Sequence, residues 1–304
     1  MAYQNVSTPR FYVDKGQYLT TINYQDDLFT DDMKQLYRLN PSKLIQRPSA
    51  YPLVPRTSPI NYIAFLGTSS IGVGYYPEWW DGTSYHSSAS GFQEVVNCNG
   101  YNQTPEDFDG FSIATFNDQE HPYCRGVMAS NALIGAVSIG QYYDMPVAPD
   151  LSLSLEHDYS GIKKTTSMSG ASFSNANWIK PPKWGDKEAW QLGDFPRPYS
   201  GRRIWDLSFS YMSDTDLEPR NYTGTTETLE QGAENWFENV LHYTMGGHLP
   251  FIFQPDKDAV YQPETGYIGK IPEFAICRFD MDSFSREQVA PGVYNIKIKV
   301  KESW

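Results

Sequence analysis

The sequence predicts a mainly β protein made of two β-sandwich domains. Short segments in which apolar and polar residues alternate recur along the 304 residues, with the two-residue period of a strand that buries one face. Aromatic residues, which favour strands, make up 15% of the chain, and 23 Gly and 21 Pro supply turns between short strands. Only one segment has a clear helical period, and one helix among many strands is typical of β-sandwiches.

The predicted N-terminal domain, residues 1–147, begins with short elements separated by irregular chain. Phe11–Val13 predicts a short strand, and Asp26–Leu39 has a weakly helical spacing of apolar residues. Pro41–Pro59 contains five prolines, so we expect an extended, irregular segment that lies as an arm on a neighbouring subunit. Asn61–Gly67 is a short apolar run bounded by turn residues, which is the pattern of a buried strand.

Residues 75–91 are aromatic and polar without any period, which predicts a large surface loop that exposes its rings. Five of these rings form a candidate binding site: Tyr75, Tyr76, Trp79, Trp80 and Tyr85. They would either stack on the apolar faces of sugar rings or anchor a protein–protein contact, where Trp and Tyr are enriched; the second interpretation is favoured. Phe92–Val96 and Phe111–Phe116 then predict strands, and Ala132–Gly140 is an apolar segment that ends in a turn.

The second predicted domain, residues 148–304, follows a boundary at Asp144–Asp150, where prolines and aspartates interrupt the apolar pattern. Strict alternation at Leu151–Leu155 predicts a strand with one buried face. Asp158–Asn177 is polar and rich in Gly, Ser and Thr, which predicts turns and an exposed hairpin. The clearest strand is Ile204–Met212, whose apolar face carries a Trp, a Leu, a Phe and a Tyr.

One α-helix is predicted at Glu227–Met245, because apolar residues recur there at three and four positions and Gly246-Gly247 supplies a left-handed stop. Three strands follow, at Leu249–Phe253, Phe274–Phe279 and Tyr294–Val300. The large side chains of the helix and strands form a candidate assembly core: Trp205, Phe209, Trp236, Phe237, Phe251 and Phe253.

Charge and cysteine content exclude several classes of function. The net charge of −12 argues against a large duplex-DNA surface, and a local basic spot such as Arg202-Arg203 is the alternative. Cys98, Cys124 and Cys277 are scattered without a C-x-x-C pair, which predicts reduced, partly buried thiols. No apolar run approaches the roughly 20 residues of a membrane span and no signal peptide is visible, so we expect synthesis in a cytoplasm and no membrane insertion.

Motifs of common catalytic and metal sites are not found in the sequence. Gly67–Gly74 lacks the Gly-Lys-Ser/Thr ending of a phosphate loop, and His121 with Cys124 supplies only two zinc ligands. Pairs of acidic residues do not match a calcium loop and are predicted to be solvated turns, with a weak calcium site or a glycosidase pair as alternatives: Asp214 and Asp216, Asp256 and Asp258, Asp280 and Asp282. We therefore expect no catalytic residue, no metal and no cofactor.

Several segments resemble structural proteins of bacteriophage particles, many of them from marine phages. Met1–Val13 resembles their N-terminus, and Asn61-Tyr-Ile-Ala-Phe-Leu-Gly67 resembles a strand of the galactose-binding-like (discoidin-type) sandwiches of minor tail proteins. Similar segments of the second half are Ile134–Gly140 with Met145-Pro146, Tyr159–Gly161, Arg203-Ile-Trp-Asp-Leu-Ser-Phe-Ser210, Thr244–Phe253 and Ala275–Asp280.

The resemblance implies a jelly-roll or galactose-binding-like N-terminal sandwich and a distal-tail-like C-terminal sandwich that contains the helix. It implies a structural role in a phage tail tip or baseplate, as a symmetric oligomer built through aromatic-rich interfaces, without any catalytic residue. The partners would be other copies of the chain and other tail or baseplate proteins, with a host-surface glycan as a further ligand and no nucleic acid. The chain would be made in the host cytoplasm and reside in the virion; the alternatives are a neck or head-decoration protein, a carbohydrate-binding receptor module and an enzyme.

Overall fold

The fold is mainly β and its strand pairings are antiparallel, as the sequence predicts. The computed structural model describes residues 6–21, 45–46, 54–55, 60–66, 75–80, 85–87, 92–97, 112–116, 123–128, 133–134, 136–151, 154–158, 162–176, 201–217, 235–259 and 274–303. The helix predicted at Asp26–Leu39, the small-residue loop Gly67–Gly74, Cys98 and His121 lie outside these residues.

Most described residues belong to strands. The strands are β1 Arg10–Asp14, β2 Ile45–Gln46, β3 Val54–Pro55, β4 Tyr62–Leu66, β5 Tyr75–Trp80, β6 Tyr85–Ser87, β7 Phe92–Asn97, β8 Ser112–Phe116, β9 Tyr123–Met128, β10 Leu133–Ile134, β11 Ala136–Asp144, β12 Ser154–Asp158, β13 Ile162–Thr166, β14 Ser172–Ala176, β15 Arg202–Ser213, β16 Phe251–Gln254, β17 Ala275–Phe279, β18 Arg286–Ala290 and β19 Val293–Glu302. The helices are α1 Lys15–Thr21, α2 Asp214–Leu217, a π-helix Phe237–His242 and a 3-10 turn Met245–Gly247.

One long sheet dominates the described part of the chain. Its strand order is β12-β15-β19-β17-β16-β1-β11-β4-β8-β7, and β18 adds to β19 beside this path. Three small sheets accompany it, with the orders β10-β2, β13-β14 and β3-β9-β5-β6.

The long sheet crosses the predicted domain boundary, because β1 pairs with a strand on each side of it. Phe11 lies opposite Tyr143 of β11 and also opposite Phe253 of β16. A strand at the start of the chain is therefore central to the sheet and joins the two predicted halves. The division into sandwiches of residues 1–147 and 148–304 stays a prediction.

Both faces of the long sheet are apolar, as the alternation of its strands requires. One face, which we call the helix face, packs with α1 and the π-helix, and its strand residues include Phe11, Val13, Ile63, Val137, Ile139, Trp205, Leu207, Phe209, Phe251, Phe253, Cys277, Ile296, Ile298 and Val300. The opposite face carries Tyr12, Tyr62, Ala64, Leu66, Ile113, Ala136, Ile252, Phe274 and Ile276. The buried Cys277 agrees with the prediction for its thiol.

The aromatic segment 75–91 is not a single large loop, and this prediction was wrong. Residues 75–80 and 85–87 form the antiparallel strands β5 and β6, and β5 also pairs with β9. Pro41–Pro59 likewise contains the two short strands β2 and β3, while its other residues lie outside the described part. Pairing with distant strands, which local periodicity does not reveal, overrides the local pattern here.

Two strands depart from their predicted alternation. Leu151 lies in a turn and is exposed, so the predicted strand Leu151–Leu155 is displaced to β12 and buries no regular face. In β15 a register shift between Phe209 and Met212 gives Tyr211 a positive φ of 60° and turns it to solvent, although alternation predicts it on the apolar face. An extra residue in one strand shifts the alternation by one position, so the side chains after it point to the faces opposite to those predicted.

The α-helix predicted at Glu227–Met245 is only partly matched. Its described part is the π-helix Phe237–His242, preceded by the helical residue Trp236; residues 227–234 lie outside the described part. Residue 235 is not helical, and its Asn side chain caps the first turn: Oδ1 accepts the Glu238 N–H at 2.9 Å. The π-helix ends at His242, before the predicted stop, and Gly246-Gly247, with φ values of 67° and 97°, lie in the following 3-10 turn Met245–Gly247, where Met245 already has a positive φ of 52°.

Candidate assembly core and surface

The residues of the candidate assembly core lie together inside the chain. Trp205, Phe209, Trp236, Phe251 and Phe253 are fully buried in one cluster on the helix face, and Phe237 packs against it while partly exposed. Strands β15 and β16 supply four of these rings, and the first helical residue supplies Trp236. The structure thus brings the six residues to one cluster; their part in assembly stays a prediction.

Phe11 of the central strand β1 holds this cluster together. Its ring centroid lies 4.9 Å from that of Trp236, 5.5 Å from Phe251 and 5.2 Å from Phe253. Trp205 extends the cluster through an edge contact of 5.2 Å with Phe253. Tilted and edge-on geometries at these distances add to the stabilisation by burial. The sequence marks Phe11 only as part of a short strand, since its partners lie more than 200 residues away.

Buried rings cannot serve as a contact surface between subunits. A surface that contacts a neighbouring subunit must consist of exposed residues. The buried cluster can contribute only by making the sheet behind that surface rigid. The exposed large apolar side chains of the described part are Val147, Leu151, Met168, Phe173, Tyr211, Met245 and Val289.

The basic pair Arg202-Arg203 does not offer a phosphate site at Arg203. The Arg203 side chain is buried and donates to both carboxylate oxygens of Glu302, with 2.9 Å from Nη2 to Oε1 and 3.3 Å from Nε to Oε2. The Arg203 backbone N–H also donates to Glu302 Oε2 at 3.0 Å, and its guanidinium lies 4.9 Å from the Trp205 ring centroid. This ion pair fastens β15 to the end of β19.

A buried carboxyl lies where β1 turns directly into α1. Asp14 is the cap of α1, because its Oδ1 accepts the Gln17 N–H at 2.8 Å. Burial raises the pKa of Asp14 to about 7, against the opposing effect of hydrogen bonds from Gln17 and Ser138. Gly140, opposite Asp14 in the register with β11, permits this close approach: a Cβ there would lie 2.1 Å from the Val13 carbonyl oxygen.

Three further titratable side chains lie between α1 and the π-helix. The buried Lys15 donates from Nζ to Gln141 Oε1 at 2.8 Å and lies 4.7 Å from the Tyr243 ring centroid. The Tyr18 hydroxyl and His242 Nε2 are 3.1 Å apart. Burial and then the charge of Lys15 lower the pKa of His242.

An acid, an amine and an imidazole are components of many catalytic sites, but here the acid and the amine are enclosed, while the His242 ring is partly exposed. Asp14 and Lys15 have at most 2% of their surface exposed, and Tyr18 has 8%. A substrate could not reach their polar atoms without separating α1 from the sheet. The arrangement suits a structural junction rather than a catalytic centre.

Asp214 and Asp216 lie in the short helix α2 and not in the predicted turn, whereas the other two acidic pairs lie outside helices and strands. Asp280 lies 3.4 Å from Lys299, Asp258 lies 2.8 Å from Lys257, and Asp216 Oδ2 accepts the Ser213 hydroxyl at 2.7 Å. Within the described ranges no group of three or more His, Cys, Asp or Glu residues is placed to hold a metal ion. In the same ranges no helix is long and apolar enough to cross a membrane.

The candidate ring-binding residues lie on paired strands rather than on a loop. Tyr75, Tyr76, Trp79 and Trp80 belong to β5, and Tyr85 begins β6. In the register, Trp80 lies opposite Tyr85 and Trp79 lies opposite His86. The backbone therefore brings Tyr85 next to Trp80 across the two strands.

Comparison of the chain with protein-family models, with curated proteins and with solved structures finds no match.

Proposed function

We propose that the chain is a non-enzymatic structural subunit of a bacteriophage tail tip or baseplate, which assembles as a symmetric oligomer. One observation carries the proposal: three segments that resemble tail proteins become neighbours in a single sheet. They lie in β15, β17 and β16, which together with β19 form the run of adjacent strands β15-β19-β17-β16. Residues that resemble one family at three distant places therefore make one continuous structural unit.

The interior of this unit supports a structural role. Large rings, the Arg203–Glu302 ion pair and the capped junction at Asp14 lock strands from both ends of the chain together. Rigid sheets with exposed side chains are suited to contacts with neighbouring subunits, whereas a catalytic centre needs an accessible cleft with its titratable groups.

At the level of architecture, we propose an N-terminal galactose-binding-like sandwich and a C-terminal distal-tail-like sandwich that share the long sheet. Strand β1 is the connection between them, since it pairs with β11 on one side and with β16 on the other. In this proposal the four-stranded sheet β3-β9-β5-β6 forms the second layer of the N-terminal sandwich.

The test is electron cryo-microscopy of purified particles, with symmetry analysis of the tail end. We expect the chain in a ring or in repeated positions around the tail axis. Density for the chain in the neck or on the head would replace the tail assignment with one of those locations. Absence of the chain from the particle would refute the structural role.

A second candidate function is recognition of a host-surface glycan, favoured by the aromatic residues Trp80 and Tyr85 that lie opposite each other in the β5–β6 register. Successive residues of a strand point to opposite faces, so we expect Trp80 with Tyr85, rather than Trp79 with Trp80, to stack on one sugar. Loss of glycan-array binding in Trp80→Ala, with binding retained in Trp79→Ala, would support this site. Absence of any array signal from the unmodified chain would refute it.

A further inference from the structure

Arg278 of β17 is a partly buried arginine that forms no ion pair with a described residue. Its Nη1 donates to the His248 carbonyl oxygen at 2.7 Å, and the guanidinium makes no other hydrogen bond within the described part of the chain. The Nε–H is buried without an acceptor. A buried N–H without an acceptor is unfavourable, so this group calls for a partner.

Two other arginines of the chain show what this edge of a guanidinium binds. Arg203 donates from Nε and Nη2 to the two carboxylate oxygens of Glu302. Arg10 donates from the same two nitrogens to the two oxygens of Asp144. These two N–H groups point in parallel and match the spacing of carboxylate oxygens. In Arg278 the same edge is left without an acceptor, because only Nη1 is engaged.

The charges next to Arg278 leave one positive charge without a counter-ion. Lys301 lies directly opposite Arg278 in the register between β17 and β19, so the two cations share one face of the sheet and repel each other. Asp158 lies 2.8 Å from Lys301, and Asp280 lies 3.4 Å from Lys299. Each neighbouring lysine therefore has a carboxylate, whereas the guanidinium has none.

The other carboxylates of this face are too distant to fill the place. Asp206 lies on β15 and Glu156 lies on β12, which are two and three strands away from β17. Neighbouring strands are about 4.8 Å apart, so the backbones of these residues are about 10 Å or more from that of Arg278. Within the described part of the chain, nothing supplies the missing anion.

Burial also acts on the Arg278 charge itself. It lowers the pKa of Arg278, and no carboxylate counteracts this effect. An arginine nevertheless keeps its proton in a protein, so the group is charged and partly desolvated. Charge-assisted hydrogen bonds are strongest in such surroundings, because water competes least for the donor.

We propose that Arg278 anchors a carboxylate-binding site, in which Nε and Nη2 bind the two oxygens of a carboxylate from outside the described chain. The carboxylate belongs either to a free acid or to an acidic side chain of a second copy, and the test separates these two sources. The site is independent of the proposed function, since it requires no particular location of the chain.

The test is NMR of the full-length chain labelled with ¹⁵N, in which arginine Nε–H groups are observed directly. Sodium acetate replaces sodium chloride at constant ionic strength, so that screening does not change. We expect the Arg278 Nε–H resonance, identified by its loss in Arg278→Lys, to shift and to reach saturation. The Nε–H resonances of Arg10 and Arg203 are internal controls and should not shift, because their edges already hold carboxylates.

A conservative substitution tests the two-pronged contact. Arg278→Lys keeps the charge but offers no pair of parallel N–H groups, so acetate should bind it about tenfold more weakly or worse, with the Lys301 backbone amide resonance as readout. The matched control Arg286→Lys makes the same exchange at an exposed arginine of β18 and should bind acetate as the unmodified chain does. An unresponsive Arg278 Nε–H, or equal acetate binding by Arg278→Lys, would overturn the inference.

Sedimentation velocity in chloride and in acetate then assigns the source of the carboxylate. Self-association that is weakened both by acetate and by Arg278→Lys would identify a second copy as the donor. Sedimentation that neither change affects, together with saturable acetate binding at Arg278, would identify a free acid.

Discussion

Replacing Asp14 by Asn should make the protein less sensitive to rising pH. The Asp14 carboxyl is buried at the β1–α1 junction, where its Oδ1 accepts the Gln17 N–H at 2.8 Å. Burial raises its pKa from the ordinary 3.8 to about 7, because the charged form loses its hydration. Asn keeps the size and the accepting oxygen of the side chain but has no proton to release.

The magnitude follows from proton linkage. Between pH 3.8 and pH 7 the folded chain holds a proton on Asp14 that the unfolded chain has already released. The free energy of unfolding therefore falls as pH rises through this window and levels off above pH 7. Between pH 5 and pH 8 this single group removes about 2–3 kcal/mol of stability, at about 1.4 kcal/mol for each unit of pKa difference.

Urea unfolding at pH 5 and pH 8 measures the effect. Between pH 5 and pH 8 we expect the free energy of unfolding to fall by about 2–3 kcal/mol more in the unmodified chain than in Asp14→Asn. The contributions of other titrating groups, such as His242, cancel in this comparison. Asp282→Asn is the matched control, since it removes an exposed carboxyl that makes no ion pair with the described residues. An identical pH dependence for the unmodified chain and Asp14→Asn would refute the buried, protonated carboxyl.

Three further substitutions test the packing, each by denaturant unfolding. Gly140→Ala should lower the free energy of unfolding by about 3 kcal/mol or prevent folding, because the new Cβ would lie 2.1 Å from a backbone oxygen. Gly170→Ala is the control: a Cβ there has nothing within 4 Å, so the loss should be only the roughly 1–2 kcal/mol of its positive φ. Equal losses in the two variants would contradict this reasoning. Trp236→Ala should cost about 3–5 kcal/mol, and a cost below 1 kcal/mol would show that the ring cluster is not packed as described. Arg203→Met should lower the free energy of unfolding by about 3–5 kcal/mol, because it leaves the charge of Glu302 buried. Adding Glu302→Leu to this variant should recover part of the lost stability. A further loss of stability in the double variant would contradict the charge argument.

Local periodicity was sufficient for most strands. Ile204–Met212 alternates over nine residues and lies within β15, and Gly246-Gly247 have the two positive φ values expected of them, although the π-helix already ends at His242. These features depend on a residue and its neighbours in sequence, and so they can be read from sequence alone. The exposed hairpin within Asp158–Asn177 follows for the same reason, from turn residues between two polar strands.

Features that depend on distant partners could not be predicted. The exposure of Tyr211 arises from the shift in register between β15 and β19. The central place of β1 depends on pairing with β16, about 240 residues away. Nothing in the local pattern of Phe11 distinguishes a central strand from an edge strand.

Size and aromatic character alone do not identify an assembly surface. Two of the largest rings, Trp205 and Trp236, are buried, since burial of large apolar area is what stabilises the sheet. A subunit contact has to use side chains that the core leaves exposed, such as Leu151, Met168, Phe173 and Tyr211 in the described part of the chain. The abundance of aromatic residues therefore accounts for the packing of the core, and it does not by itself identify the surface that contacts a neighbour.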